Sequence, residues 1–194
     1  MIPALKVIDD FHPDPYALRH RVLQSEFKDH TGPDDAKYHA SLYHEPLLLQ
    51  CLQASVGYMV VPRVQGWRLD LDGTMPHSFC HSDEICASFA SVFYLNTPEQ
   101  CRGGTSFYRH KARGIDAMPA GLPKPEIEAI VNDWKVESAW EETNRVAMKF
   151  NRFIFYPVQY FHARYPQMGW GKDKQDGRLV WVCFFDVDTR YIVR

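Results

Sequence analysis

The sequence predicts a mainly β fold of the α+β kind, a sandwich or barrel carried on N-terminal helices. Three observations predict it. From about residue 58 onward, short β-branched or aromatic runs ("GWRLDLDG", "SFASVFYLN", "GTSFYRHK", "RVAMKF", "RFIFYP", "FHARYP", "RLVWVCFFDVD") are separated by Gly, Pro and Asn. No helix-length crossover lies between most of them, which argues against a parallel sheet. Aromatic residues make up 14% of the chain, a content suited to a sheet-rich core around a lined pocket.

Taken in order, "ALKVIDDF" reads as an opening strand. "DPYALRHRVLQSEF" reads as a helix, with Asp14 at its cap and Pro15 in its first turn. "TGPDDAKYH" is expected to be a loop. "EPLLLQCLQASVG" has the start and stop of a second helix, Pro46 near its first turn and Gly57 after its end. The supporting helices therefore fall within about residues 14–57. Among the later strands, residues 112–139 stand out, because "LPKPEIEAIVNDWKVESAW" has a helical texture and reads as an insertion.

The whole chain of 194 residues is expected to be one domain, 1–194. A chain of this length buries roughly 70% of its unfolded surface and needs neither disulfides nor a structural metal to fold. A net charge of −2 gives no electrostatic reason to expect nucleic acid or an anionic membrane as partner. Acids interrupt "MIPALKVIDDFHPDPY" where a secretory signal would be apolar, so the expected location is the cytoplasm. Five cysteines (51, 80, 86, 101, 183) without a CxxC pair suit reduced thiols.

The stretch "HSFCHSDEICASFASVFYLN" concentrates metal-binding residue types. On an extended strand, side chains two apart share a face, so His81 and Asp83 can grip one cation while Ser82 points away. A 2-His-1-carboxylate set with open positions is the arrangement of non-haem Fe(II) sites. The third ligand must come from elsewhere. His162, at the head of the strand in "RFIFYPVQYFHARYP", is the best candidate, with His77 and His110 as alternatives. A zinc site from His77, Cys80, His81 and Cys86 fits worse, because its spacing matches no usual finger or ribbon.

From His81 onward the order of segments resembles the 2-oxoglutarate-dependent Fe(II) oxygenases, in particular their prolyl-hydroxylase-like branch. The matching parts are His81-Ser82-Asp83, "VFYLN", the Gly-Gly turn of "CRGGTSFYRH", the distal His162, and Arg178 opening "RLVWVCFFDVD". The resemblance implies a double-stranded β-helix, a jelly-roll variant related to the cupins. It implies His81, Asp83 and His162 as both the catalytic set and the Fe(II) ligands. Arg178 would grip the distal carboxylate of the co-substrate 2-oxoglutarate, as a planar, always-charged guanidinium suits. Lys172 is the alternative anchor, and Tyr94 would add a hydroxyl to the same carboxylate. Arg164 and Arg109 are candidate substrate contacts, and with Lys111 they point to an acidic group on a small-molecule substrate. With O2, the implied reaction is hydroxylation of an unactivated C–H bond of an amino acid or specialised metabolite, with succinate and CO2 as co-products. Asp83 favours hydroxylation over halogenation, since halogenating relatives carry a small residue there, and leaves desaturation and ring closure open. The alternatives are hydroxylation of a protein, peptide or carrier-bound substrate, and a jelly-roll module that binds a ligand without catalysis.

Overall fold

A computed structural model describes residues 4–32, 36–83 and 87–193. The expected double-stranded β-helix is present as two antiparallel sheets. The large sheet has seven strands in the order β1-β8-β5-β10-β4-β3-β2. These strands are β1 Lys6–Ile8, β2 Lys28–Thr31, β3 Lys37–Ser41, β4 Tyr58–Asp70, β5 Phe89–Tyr94, β8 Arg152–Pro157 and β10 Arg178–Ile192. The small sheet, in the order β7-β6-β9, is built from β6 Gly104–His110, β7 Trp140–Ala147 and β9 His162–Tyr165. From β5 onward the chain crosses between the sheets four times, so segments far apart in sequence close one barrel.

Strand alternation sorts the interior. Along β10, Leu179, Trp181, Cys183 and Phe185 pack in one apolar cluster with Leu18, Val22, Leu48 and Leu52. Those four partners come from helix α1 (Pro15–Gln24) and helix α2 (Pro46–Val56). The intervening residues Val180, Val182 and Phe184 pack between the sheets against Tyr94, Phe107, Ile154, Tyr156 and Trp170. Arg178 begins this barrel-facing row. A third cluster, with Cys80, Tyr108, Ile130, Trp140 and Phe161, joins the small sheet to helix α3 (Lys124–Asn132) and the two 3₁₀ turns that follow it. The expected insertion thus forms a cover on the outside of the small sheet.

Local chemistry sets the element ends. Asp14 Oδ1 accepts from the Ala17 N–H at 3.1 Å, capping α1. Gly57, at φ 79, donates its N–H to Gln53 O and stops α2. Asn151 takes a positive φ of 62 and brackets the backbone of His12, accepting from its N–H and donating to its carbonyl.

The structure departs from the expectation at three places. Part of the expected loop at 31–39 belongs to the β2–β3 hairpin, whose polar residues showed no apolar alternation. Strand β7 begins at Trp140, ahead of "RVAMKF", because residues 141–145 are exposed and polar. The strand expected at His81 is a single bridge to His162.

The Gly-Gly turn is required by close approach. A Cβ on Gly103 would lie 1.8 Å from Tyr165 O, and one on Gly104 would lie 2.0 Å from Val146 O. Both residues also have positive φ, 67 and 152. Gly103→Ala is therefore expected to destabilise the fold by about 2–4 kcal/mol, read as a lowered urea midpoint at unchanged m-value. A midpoint equal to wild type would contradict the packing of β6 between β7 and β9.

Candidate metal centre

His81 and His162 face one another through a reciprocal backbone pair. The His81 N–H donates to His162 O at 3.1 Å, and the His162 N–H donates to His81 O at 2.9 Å. The segment is tied on its other side too, because Trp134 O accepts the N–H groups of Phe79 and Cys80 at 2.8 and 3.1 Å. Asp83 is fixed by its own N–H, which donates to Val158 O at 2.8 Å.

These constraints bring three side chains together. The ligand atoms of His81, Asp83 and His162 lie within 4.8 Å of one another. Asp83 Oδ2 is 3.2 Å from His162 Nε2, and its Oδ1 is 3.5 Å from His81 Nε2. Bonds of about 2.1 Å to one ion put neighbouring ligands about 3 Å apart, so the spacing suits a shared cation. The far ring nitrogens are occupied as metal-binding imidazoles require. His162 Nδ1 lies 2.9 Å from Tyr160 O, and His81 Nδ1 lies 3.3 Å from Ser78 Oγ. The Nε2 atoms are thus the ones left for a metal.

Burial penalises charge on Asp83, yet the neighbouring His162 and His81 hold its carboxyl well below the usual range. Burial likewise works against an imidazolium at His162, and the Asp83 carboxylate outweighs it, so that pKa is raised. The Asp83 carboxylate thus faces the two imidazoles as an anion, the state in which it can ligate a cation.

Deeper in the barrel, Asp70 is fully buried beneath three guanidinium groups. Its Oδ1 meets Arg68 Nε at 3.0 Å and Arg164 at 2.7 Å, and its Oδ2 meets Arg178 at 3.1 Å. Burial raises the Asp70 pKa, but Arg68, Arg164 and Arg178 prevail and lower it to about 2. The three cations do not stand equal. Arg164 also donates to Gln167 O and Thr74 O, so each of its guanidinium nitrogens has an acceptor or ion-pair partner. Arg178 is only 4% exposed and its Nε has no partner, which leaves a guanidinium edge for a carboxylate. Asn96 holds this residue from both sides, donating to Gly177 O at 2.7 Å and accepting from the Leu179 N–H at 2.8 Å. The Tyr94 hydroxyl is buried in the same barrel, 2.7 Å from Thr105 Oγ1.

The other candidates lie elsewhere. Lys172 is exposed in the preceding loop. Arg109 is about half exposed and paired with Asp116 at 2.8 Å. Lys111 donates to Ser138 O. His110 is buried against Asp133, with 2.9 Å between Nε2 and Oδ2. His77 lines a cleft with residues 71–76. The Cys80 thiol sits in the apolar cluster under the insertion, where burial raises its pKa, and Cys86 lies outside the described residues.

Sequence reasoning missed Arg68, Asp70 and Trp134. The first two share a face of β4, and two charges at i and i+2 ending an apolar strand were the available signal. Trp134 sets its ring edge-on to His81, with 6.1 Å between centroids.

Residues 74–185 match the family described as "Family of unknown function (DUF6445)". No curated protein matches the chain in sequence. Solved structures are similar in fold over nearly its whole length. HygX from Streptomyces hygroscopicus with iron bound superposes with a TM-score of 0.56 at 10% identity, covering 100% of this chain and 86% of that one. HygX with nickel and 2-oxoglutarate bound gives 0.54 at 12% identity, with the same coverage. The non-haem alpha-ketoglutarate-dependent carbocyclase SnoK, from nogalamycin biosynthesis, gives 0.54 at 13%, covering 94% and 79%. The fold is that of the Fe(II)/2-oxoglutarate oxygenases, as the order of motifs implied.

Replacing Asp70 by Asn leaves three cations without their anion, the side chains of Arg164 and Arg178 among them being almost fully buried. It is expected to destabilise the protein by about 3–5 kcal/mol at neutral pH, measured by urea unfolding. Because folding lowers the Asp70 pKa from its ordinary 3.8 to about 2, its contribution is complete above pH 3.8 and fades as pH falls toward 2. The difference between wild type and Asp70→Asn should narrow across that window. A difference that is small at neutral pH, or constant down to pH 2, would contradict the assignment.

Proposed function

The chain belongs to the DUF6445 family, and we propose that it is a non-haem Fe(II)- and 2-oxoglutarate-dependent oxygenase that hydroxylates a small molecule. The observation that carries the reading is the convergence of His81, Asp83 and His162 within one barrel whose interior also holds Arg178 with a buried, unpartnered Nε. HygX binds iron in one structure, and nickel with 2-oxoglutarate in another, on the same fold.

In this reading His81 and His162, through their Nε2 atoms, and the Asp83 carboxylate would hold Fe(II). Bound there with 2-oxoglutarate, the metal would supply O2 activation for oxidation of a C–H bond, with succinate and CO2 as co-products. Arg178 receives the distal carboxylate of 2-oxoglutarate through its free Nε edge, and the Tyr94 hydroxyl lies in the same buried row to accept or donate beside it. Asn96 keeps that edge in register by gripping the backbone on either side. Val180, Ile154 and Phe107 line the barrel between the sheets and exclude water from the reacting groups. An acid at position 83 fills the third protein position, which favours hydroxylation over halogen transfer.

The proposed substrate enters the cleft of about 860 Å³ between the β2–β3 hairpin and residues 71–77. Its size suits a small molecule. Its rim includes Thr74, whose carbonyl accepts from Arg164 two residues beyond His162, and His77, four residues before His81.

Anaerobic addition of Fe(II) and 2-oxoglutarate should produce the visible charge-transfer band of the chelate, and Asp83→Ala or His162→Ala should abolish it along with succinate formation. Arg178→Gln should retain the band but raise the 2-oxoglutarate concentration for half-saturation by about 30- to 100-fold, the loss of a charge-assisted pair worth about 2–3 kcal/mol. Wild-type protein without a band, or folded Asp83→Ala with undiminished succinate release, would sink the proposal.

A further inference from the structure

The outer face of the small sheet carries a second recess, separate from the metal centre. Along β9, Tyr165 alternates with His162 and Arg164, so it points away from the metal ligands. Its neighbour on that face, Ala163, packs in the cluster beneath the insertion. Tyr108 of β6 and Trp140 of β7 belong to the same cluster. With Phe79, Glu137, Glu142 and Gln167, these aromatic residues line a cavity of about 270 Å³.

The chemistry of the lining is one-sided. Four aromatic side chains surround the space, and the rings of Phe79 and Tyr108 meet edge to face at 5.4 Å. Gln167 is locked by its Nε2, which donates to Phe79 O at 2.8 Å, while its Oε1 is buried and accepts nothing. The Trp140 indole N–H is already committed to Asp133 O. Glu142 is bound in a two-point pair to Arg145, whose guanidinium carbon lies 3.3 Å from the Tyr165 ring centroid. A cation therefore already rests on one of these rings. Glu137 is exposed and has no ion-pair partner among the described residues. An unfilled amide acceptor, an unpaired carboxylate and electron-rich ring faces together select a cation that bears N–H groups.

We propose that this recess binds the primary ammonium group of a small alkylamine, with the alkyl chain against Phe79 and Tyr165 and the ammonium between Gln167 Oε1 and Glu137. A quaternary ammonium has no N–H for Gln167. A neutral alcohol leaves Glu137 without a counter-charge.

The test uses n-butylammonium as probe on the 15N-labelled full chain at constant ionic strength. It follows the Gln167 side-chain amide, assigned by its loss in Gln167→Leu. The expected result is a saturable shift, with n-butanol and tetramethylammonium each binding at least about tenfold more weakly. Glu137→Gln, an exposed substitution that leaves the backbone amide spectrum in place, should weaken n-butylammonium several-fold. Saturating 2-oxoglutarate should not displace the probe, so the result does not depend on the oxygenase reading. No saturable shift, equal binding of n-butanol, an unaffected Glu137→Gln variant, or displacement by 2-oxoglutarate would each overturn the proposal.

Discussion

Two hydrogen bonds between the backbones of His81 and His162 hold the functional end of this molecule together. The small sheet has three regular strands, and this pair supplies its fourth edge with a single residue. Everything that makes a metal site here follows from it. The pair sets the two imidazoles side by side, 4.7 Å between ring centroids, and brings Asp83 to within reach of both. One residue of pairing is weak on its own. The carbonyls of Trp134 and Val158 reinforce it from the insertion and from the turn after β8, which explains why the insertion matters to the centre without supplying a ligand.

The electrostatics are organised at two depths. Near the mouth, one carboxylate faces two imidazoles, an arrangement that favours a divalent cation. Below it, one carboxylate faces three guanidinium groups, an excess of positive charge that favours an anion. Asp70 keeps the lower set of cations from repelling itself apart.

Much of this was legible in the sequence, and the parts that were not share a cause. The order of motifs named Arg178 at the head of the last strand, and the HxD spacing with a later histidine named three residues that the fold brings together. Those signals are local, or they recur in fixed order. Asp70 and Arg68 carried a local signal as well, but a pair of charges on one strand face reads as a solvated surface until the second sheet closes over it. Arg109 and Lys111 looked available because their partners, Asp116 and Ser138, come from the insertion. The polar strands β2, β3 and β7 gave no period-2 hydrophobic pattern, since their exposed residues are held by neighbouring backbone and not by burial.

Strand β10 lies in the middle of the large sheet, hydrogen-bonded to β5 on one side and to β4 on the other. Without it β4 and β5 have no common neighbour, the large sheet falls into two halves, and Arg178 is absent from the barrel. A cut within β10 would therefore remove the central seam of the sheet and the barrel's buried guanidinium together, so truncation cannot separate loss of architecture from loss of that charge.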